Sequence, residues 1–345
     1  MDNANSIVAQ SNQQASETGA KSVRPMDLSI ICVNWNSVDY LRECIASIYD
    51  NTRGISFEII VVDNASPQGG VDTLKDAFPR VRIYKSDKNI GFAAANNWGF
   101  RESTGEYVVF LNPDTKLVGP ALNILLDAMK QLPDAGIVGC KMLNTDLSVQ
   151  ITSIQKFPTI LNQIVNSEHL QLRWPGCPIW NIAPLFSKQT QPVEVDIIPG
   201  ACMFLNRSSY AQVGGLSEDY FMYGEDLDLN FKLHQAGYKN YYIGESVIIH
   251  HGGKSSSQQD VNQWSTMMKY RAMTRYYRKN HGRLYEAMYR LTTGCVALAR
   301  LALLSLMYPF GNVLWNKKSV KRAFNKWKVV FKWAIGRQDL ALQDR

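Results

Sequence analysis

One short run constrains the fold of this chain most strongly: residues 107–111 (YVVFL) are apolar, and Asn112-Pro113-Asp114 follow at once. β-Branched and aromatic residues in such a run predict a buried strand, which Pro113 ends because proline has no N–H to give to a sheet. Asp114 therefore follows the carboxyl end of a central strand, where open α/β sheets bind ligands. A carboxylate there can hold a divalent cation such as Mg²⁺. A simple turn explains the three residues equally well, since Asn, Pro and Asp are common turn residues.

Composition places the chain among globular proteins. Its 345 residues are enough for one large domain with an appendage or for two modest domains, and 46% are hydrophobic. The six cysteines are scattered without a C-x-x-C pair, so neither a zinc site nor a disulfide framework is indicated. Residues 1–26 are polar and lack the apolar core of a signal peptide; we expect a disordered tail and a reducing cytoplasm.

Strand and helix patterns alternate over the first 140 residues. Predicted strands cover 28–33, 57–62, 81–84, 107–111 and 136–142, and predicted helices cover 38–51, 70–78, 91–103 and 120–131. This alternation predicts an α/β fold with a mostly parallel sheet and helices on both faces. No G-x-G-x-x-G and no P-loop motif occurs, so a phosphate would have to be held by a metal ion and side chains.

Three of the predicted strands end in polar residues, namely Asn34, Asp63 and Asp114. A single polar residue at the end of a strand is common and indicates no site. Three carrying Asn or Asp along the same carboxyl edge predict a ligand pocket, because that edge is the binding edge of an open α/β sheet.

Further polar groups follow in the second half. Residues 144–195 contain five prolines and no clear pattern, and we assign them no role beyond a variable excursion. After a predicted strand at 202–205, Glu225, Asp226 and Asp228 begin a helix that Gly237 ends. Acids in a first turn suit the helix dipole, which is the simpler reading, but three exceed what a cap needs.

A last predicted strand, 247–249, runs into His250-His251-Gly252-Gly253. A histidine at a strand end beside glycine can coordinate a metal or contact phosphate. A solvated loop histidine is the alternative.

Taken in order, these motifs resemble the inverting family 2 glycosyltransferases of the GT-A fold, particularly the bacterial rhamnosyltransferase-like branch. The resemblance covers about residues 28–255 and is specific as a set, although each motif is weak alone. The matching stretches are Asn34-Trp35-Asn36, residues 62–66 (VDNAS), residues 89–96 (NIGFAAAN), Asn112-Pro113-Asp114, Gly215-Leu216, Gly224-Glu225-Asp226 and residues 250–253 (HHGG).

The resemblance implies a role for each matching residue. The donor nucleotide would be bound by a set of polar residues and one glycine: Asn34, Asp63, Asn89, Gly91, Asn96 and Asn112. Asp114 matches the last acid of the family's Asp-x-Asp motif, whose first acid is Asn112 here, as is usual in this branch. Mg²⁺ or Mn²⁺ would therefore be held loosely by Asp114, with His250 completing the site and His251 in reserve.

Asp226 would be the general base, since inverting transfer is one displacement in which a carboxylate takes the proton of the acceptor hydroxyl. Glu225 would position the acceptor or support the base, and Asp228 would only cap the helix. The resemblance implies transfer of rhamnose from dTDP-rhamnose to a glycan or a polyprenyl-diphosphate-linked acceptor during bacterial cell-surface polysaccharide synthesis. Two alternatives remain: a UDP-sugar donor (galactofuranose or N-acetylglucosamine), and a nucleotide-binding or scaffold protein without catalysis.

The carboxy-terminal part differs in character. We divide the chain into a tail (1–26), a GT-A domain (27–255) and a helical, basic, membrane-associated region (256–345). Residues 291–315 are apolar but interrupted by Arg300, Pro309 and Gly311, whereas residues 317–332 carry seven Lys or Arg and no acid. This pattern favours a helix lying in the interface of an anionic membrane, at the cytoplasmic face of the plasma membrane.

There are alternatives to a helix lying in the interface. The helices could pack against the catalytic domain or against a partner subunit, including a second copy in a homo-oligomer, or one helix could cross the membrane. No base-reading motif indicates nucleic acid.

Overall fold

The structure is a computed structural model that describes residues 26–165, 173–174, 177, 191–252, 259–307 and 317–337. Its strands are β1 (Leu28–Asn34), β2 (Phe57–Asp63), β3 (Arg82–Lys85), β4 (Tyr107–Leu111), β5 (Thr115–Val118), β6 (Ala135–Leu143), β7 (Val193–Val195), β8 (Cys202–Asn206) and β9 (Lys239–His250). Its α-helices are α1 (Val38–Asn51), α2 (Leu74–Ala77), α3 (Phe92–Glu102), α4 (Ala121–Gln131), α5 (Ile160–Ile164), α6 (Arg207–Gln212), α7 (Glu225–Gln235), α8 (Gln259–Met307) and α9 (Lys317–Ala334).

The strands form one mixed sheet in the order β3-β2-β1-β4-β8-β6-β9-β5, with β7 paired to β9. The first four strands are parallel, as the β-α alternation predicts. Beyond β4 the sheet is less parallel than expected, because β8 runs antiparallel to both of its neighbours and β5 antiparallel to β9. The parallel half therefore brings the carboxyl ends of β1, β2 and β4 to one edge.

Both faces of the sheet are covered by helices. Along β1 the side chains alternate, so that Leu28, Ile30 and Cys32 join one core while Ile31 and Val33 join the other. The first core packs α1, α2 and α4 against the sheet, and the second packs α3, α6 and α7. The prediction of helices on both faces is confirmed.

Two strands differ from the sequence-based expectation. β5 is missing from the prediction because it has four residues, of which only Thr115 and Leu117 are buried. β9 has 12 residues rather than the three predicted. Its middle contains Gly244-Glu245-Ser246, which resembles a turn, but the sheet absorbs these residues as a bulge: Cys140 pairs with Ile243 and Lys141 pairs with Val247.

The described part of the excursion at 144–195 is partly regular, with a 3₁₀ turn (Ile151–Ser153), α5 and β7. Before the 3₁₀ turn, residues 143–149 form a hairpin that is closed by the antiparallel pairing of Leu143 with Val149. Residues 1–25 of the predicted tail, and Pro309 and Gly311, lie outside the described residues.

The carboxy-terminal region is helical where described. α8 bends at Gly282, whose φ is 87°. A third core joins α8 and α9 to the part of the chain that contains the sheet, through Tyr276, Tyr289 and Trp333, which pack with Leu227 of α7. By length and composition alone, α8 between Trp264 and Leu306 could cross a membrane, and 22% of its most apolar window is buried.

Candidate active site

Asn34 and Asp63 occupy the ends of β1 and β2 and contact each other directly. The two strands are in register, with Asn34 opposite Asp63, and the Asn34 amide donates to Asp63 Oδ1 over 2.6 Å. Ser66 donates to the same oxygen over 2.6 Å. Both predicted residues are buried, so they form a pre-organised polar pair at the binding edge. A cleft of about 320 Å³ lies nearby, between the start of α1 and the loop after β2, and Asn36, Arg42 and Gly70 are among the residues that line it; Asn34 and Asp63 are not.

Asn64, to which the sequence-based assignment gives no role, organises the next loop. Its amide donates to Asn89 Oδ1 over 2.9 Å and to the carbonyl of Gly91, and its Oδ1 accepts from the N–H of Ile90. Asn89 accepts in addition from the N–H of Gly91. The predicted donor residues Asn89 and Gly91 are thus attached to the end of β2. The VDNAS motif contained the signal, since Asn64 directly follows Asp63.

Gly91 lies where the loop after β3 contacts the turn before α7. Its φ of +84° is in the left-handed region, and a Cβ there would lie 2.6 Å from the carbonyl oxygen of Phe221. That carbonyl accepts from the N–H of Phe92, at the start of α3. The loop at residues 89–91 therefore packs directly on the turn that leads into α7. Asn96, one turn further, is buried, and its amide donates to the Phe92 carbonyl of its own helix.

Asn112, Asp114 and His250 converge beyond the end of β4. The antiparallel pairing of β5 with β9 sets Thr115 opposite His250, which brings the imidazole to the neighbouring carboxylate. His250 Nε2 lies 3.3 Å from Asp114 Oδ1 and 3.5 Å from Asn112 Nδ2. The side chains of His250 and Asp114 are 17% and 13% exposed, so the pair is accessible but largely enclosed.

The side chain of His251 contacts other residues than Asp114. Its ring lies 5.2 Å from that of Tyr40, and its Nδ1 lies 3.3 Å from Thr145 Oγ1. Its backbone N–H donates to the carbonyl of Asp114. Of the two histidines, His250 is therefore the one whose ring joins Asp114.

Asp226 lies in the first turn of α7, with each carboxylate oxygen held by a backbone N–H. Oδ2 accepts from Gly200 and Oδ1 from Leu227, over 2.9 and 2.8 Å. Asn230, one turn along, fixes the same loop, because its side chain both donates to and accepts from the backbone of Ile198. The carboxylate is half-buried and oriented without a cationic partner among the described residues.

Glu225 differs from its neighbour. It is buried, and its Oε2 has no hydrogen-bond partner among the described residues. Burial, and then the charge of Asp226, raise the pKa of Glu225 to about 8. Its carboxyl is therefore mostly neutral at pH 7.

Asp228 is more than the helix cap that the sequence suggested. Its side chain is fully buried and accepts from Ser217 over 2.5 Å and from Lys279 of α8 over 3.0 Å. Lys232 lies 3.7 Å away on α7 itself. Asp228 thus ties α8 to α7, through a contact between residues too distant in sequence for a pattern to show.

The loop Pro199-Gly200-Ala201 connects the two ends of the site. The N–H of Gly200 donates to Asp226, and the carbonyl of Ala201 accepts from the N–H of Asn112 over 3.0 Å. Two consecutive loop residues therefore bridge the end of β4 and the start of α7. The structure brings together one partly exposed carboxylate and a carboxylate–imidazole pair at the edge where Asn34 and Asp63 also lie.

The Asp114–His250 pair fits a divalent cation. Carboxylate oxygen and imidazole nitrogen are both ligands of Mn²⁺-type ions, and their separation of 3.3 Å lets one ion contact both. Among the described residues no group of three or more His, Cys, Asp or Glu side chains could hold a metal. An ion here would depend on oxygens of a bound phosphate to complete its shell, as Mg²⁺ sites commonly do.

Comparison with known proteins shows which family this chain resembles. The family model described as "Glycosyl transferase family 2" matches residues 29–214. The N-acetylglucosaminyl-diphospho-decaprenol L-rhamnosyltransferase of Mycobacterium tuberculosis is 29% identical over 249 residues, which cover 68% of this chain and 79% of that protein. The rhamnosyltransferase WbbL of Escherichia coli K12 is 24% identical over 257 residues, covering 71% of this chain and 92% of that protein.

A solved structure supports the fold. The mannosyltransferase PcManGT from Pyrobaculum calidifontis, in complex with GDP-Man and Mn²⁺, superposes with a TM-score of 0.55 at 17% identity. The match covers 96% of this chain and 94% of that one. The predicted GT-A architecture is confirmed.

Proposed function

This chain belongs to glycosyl transferase family 2, and we propose that it transfers L-rhamnose, with inversion, from dTDP-rhamnose to a sugar carried on a polyprenyl diphosphate. The sugar and the acceptor are supported by the two rhamnosyltransferase relatives, one of which is named for a diphospho-decaprenol substrate. The single observation that carries the reaction is the bridge through Gly200 and Ala201, which joins the Asp226 carboxylate to the end of β4.

Asp226 is the general base of this proposal. Inverting transfer needs one carboxylate to accept the proton of the attacking hydroxyl, unlike the two carboxylates of glycosidases. The N–H groups of Gly200 and Leu227 hold both oxygens in place while the carboxylate stays half-exposed toward an acceptor. Glu225 supports it, because a neutral Glu225 puts no second negative charge beside the base.

Asp114 and His250 would hold the divalent cation, Mg²⁺ or Mn²⁺. When bound, the ion neutralises charge that develops on the leaving diphosphate. Asn34 and Asp63 would bind the donor nucleotide: Asp63 is fixed by Ser66 and Asn34 and can accept from a ribose hydroxyl or the base. The Asn64-ordered loop with Asn89 and Gly91, together with Asn96 and Asn112, would line the rest of the donor pocket.

Product analysis tests the proposed reaction. The purified chain is incubated with dTDP-rhamnose, Mn²⁺ and a synthetic N-acetylglucosaminyl-diphospho-polyprenol, and the lipid product is examined by mass spectrometry and NMR. The proposal expects one added deoxyhexose, with its anomeric configuration inverted relative to the donor. A product with retained configuration would contradict a single displacement with Asp226 as base.

We further propose that the carboxy-terminal helices lie on the cytoplasmic face of the plasma membrane, where such an acceptor is found. One face of α8 exposes large apolar side chains: Leu284, Met288, Leu291, Leu298, Leu303 and Leu306. At 100° per residue they fall within an arc of about 140° and extend over roughly 33 Å. We call this face the apolar stripe.

Charge favours lipid over protein as the occupant of the apolar stripe. α9 packs on α8 through the buried Trp333, whose ring lies 5.1 Å from that of Tyr270, and carries several exposed Lys and Arg but no acid. Arg300, the cation that interrupts the apolar run, stacks on Trp327 of α9 at 4.3 Å and so lies off the apolar stripe. An apolar face flanked by basic side chains fits an anionic bilayer surface.

Cosedimentation tests the membrane proposal. We expect the chain to bind vesicles of phosphatidylglycerol and phosphatidylcholine but not of phosphatidylcholine alone. The double variant Leu291→Ser, Leu298→Ser should bind at least about tenfold more weakly, since burying each leucine is worth about 1.5–3 kcal/mol. The matched control is Leu161→Ser, which alters a leucine that is 60% exposed on α5. Unchanged vesicle binding by the double variant, or a wild-type dimer that this variant dissociates, would overturn it.

A further inference from the structure

Gln150 clamps His250 at two points. Its Nε2 donates to the backbone carbonyl of His250 over 2.6 Å, and its Oε1 lies 3.0 Å from His250 Nδ1. Gln150 is itself fixed, because its N–H donates to the carbonyl of Met142 directly after the 143–149 hairpin. Gln150 lies in the excursion to which we assign no role from the sequence, 100 residues from the histidine it contacts.

The two contacts together determine the imidazole tautomer. A backbone carbonyl only accepts, so the end of the Gln150 amide that faces it must be the NH₂ group. The other end is then the carbonyl oxygen, which requires a proton on His250 Nδ1. In the neutral ring this leaves the lone pair on Nε2, the nitrogen that lies 3.3 Å from Asp114 Oδ1.

In the neutral ring, and without a bound cation, that arrangement is electrostatically unfavourable. The Nε2 lone pair and a carboxylate oxygen are both acceptors, and the donor found near the nitrogen among the described residues, Asn112 Nδ2, is 3.5 Å from it. An ion bound by both acceptors removes the repulsion. Metal-bound histidines usually donate their second ring N–H to an oxygen, which sets the tautomer and raises the basicity of the coordinating nitrogen.

We propose that Gln150 is a positioning residue that holds His250 in the Nδ1–H tautomer, so that Nε2 is presented with Asp114 to a divalent cation. This inference rests on the proposed function for the presence of the cation. The tautomer itself follows from the contacts of Gln150 and is testable on the metal-free protein.

The first measurement reads the tautomer. Protein labelled with ¹⁵N-histidine is examined by long-range ¹H–¹⁵N NMR without metal at a pH where the ring is neutral, and the His250→Gln variant identifies the signals. The wild-type chain should show a protonated Nδ1 and an unprotonated Nε2 in His250. In Gln150→Leu this preference should be lost, whereas Gln150→Glu keeps an acceptor and should restore it.

The second measurement reads Mn²⁺ affinity by calorimetry in the presence of dTDP. Gln150→Leu should weaken Mn²⁺ binding by roughly 10–100-fold, and Gln150→Glu should recover most of the loss. Thr145→Val is the matched control, because Thr145 makes the comparable contact to the other histidine, His251. It should leave both the His250 signals and the Mn²⁺ affinity unchanged.

The outcomes separate this inference from the proposed function. A wild-type His250 with its proton on Nε2, or a Gln150→Leu variant with unaltered tautomer and Mn²⁺ affinity, would overturn the role of Gln150. Absence of Mn²⁺ binding by the wild-type chain would instead contradict the proposed cation and with it the purpose of the clamp. The imidazole signals of the metal-free protein would still show whether Gln150 sets the tautomer.

Discussion

Three acids in one helical turn have three different environments. Asp226 is half-buried and held by backbone N–H groups, Glu225 is buried with a raised pKa, and Asp228 is fully buried against lysines. Adjacent residues of the same chemical type are thereby made unequal by burial and by partners, which is how one fold separates acid, base and structural carboxylates. The base assignment rests on this difference.

Replacing Asp226 by Asn should remove the base while keeping the shape of the side chain. We expect the rate of sugar transfer to fall by at least about 100-fold, the low end of what a positioned general base contributes. Donor affinity measured by calorimetry should change little, because Asn34 and Asp63 are untouched. The control is Asp127→Asn, at an exposed acid on α4. Transfer within a few-fold of wild type would exclude Asp226 as the base.

Glu225 makes stability depend on pH. Its folded pKa of about 8 exceeds the ordinary value of 4.5, so between those values the folded state holds a proton that the unfolded state has lost. The contribution of Glu225 is therefore fully present below pH 4.5 and is lost as pH rises toward 8. We expect the wild-type Tm to fall by several degrees more than that of Glu225→Gln between pH 5 and pH 8 in a thermal scan. Parallel pH dependence in the two proteins would refute the raised pKa.

The sequence predicts the polar residues at the strand ends, but it does not predict the residues that hold the side chains of the site in place. The positions of Asn34, Asp63 and Asp114 follow from the apolar runs that precede them, whereas the roles expected of Asp114 and Asp226 came from the family resemblance. Gln150 and Lys279 act through contacts to residues about 50 to 100 positions away, and neither stands in a local pattern. Such contacts depend on how elements pack, which a single sequence does not display.

At the scale of elements, α7 is the junction between the catalytic part and α8. Gly224, just before α7, has a φ of +89°, and a Cβ there would lie 2.9 Å from the Cβ of Ala272 on α8. Asp228 receives Lys279 from the same helix. The first turn of α7 is therefore set from two sides: by the loop at Gly200, and by α8.

Lys279→Met tests the second of these contacts. It removes the cation while keeping the length of the side chain, and we expect a loss of about 1–3 kcal/mol in the free energy of unfolding. This is less than for a fully isolated buried charge, because Lys232 and Ser217 remain beside Asp228. Urea unfolding measures it, with Arg283→Met, at an exposed position of the same helix, as control. Equal midpoints for the two variants would show that the ion pair contributes nothing.

The strands show which elements a sequence pattern reveals. β1, β2 and β4 are mostly buried and each contains a run of at least four apolar residues, so their bounds are predicted within one residue. β5 and β9, which deliver His250 to Asp114, are short or bulged and were missed or shortened. The residues of the proposed metal site, Asp114 and His250, could therefore be predicted from the sequence, but the contact between their side chains could not.

For the whole molecule, the boundary predicted at residue 255 divides the chain by composition, while packing crosses it. Tyr276, Tyr277 and Trp333 of the carboxy-terminal helices share a core with Ile197 and Leu227 of the catalytic part. The carboxy-terminal region thus has two faces, to which we assign separate tasks: one is buried against the rest of the enzyme, and the exposed apolar stripe is the proposed membrane contact.

Truncation after residue 285 should affect both tasks. It removes Tyr289 and Trp333 from the shared core, so the Tm should fall by several degrees. It also removes most of the apolar stripe and all of α9, so binding to anionic vesicles should be lost. The paired Leu291→Ser, Leu298→Ser variant should lose vesicle binding with little change in Tm, since both leucines are exposed. A truncated chain that still binds vesicles would place the membrane contact elsewhere.

The most direct test of the account is nucleoside diphosphate release from dTDP-rhamnose, UDP-galactofuranose and UDP-N-acetylglucosamine, each with the lipid-linked acceptor and with either Mn²⁺ or a chelator. The account predicts release of dTDP from dTDP-rhamnose alone, and only when both Mn²⁺ and the acceptor are present. Release from a UDP-sugar alone would contradict the rhamnose donor. Equal release in chelator would contradict the cation held by Asp114 and His250.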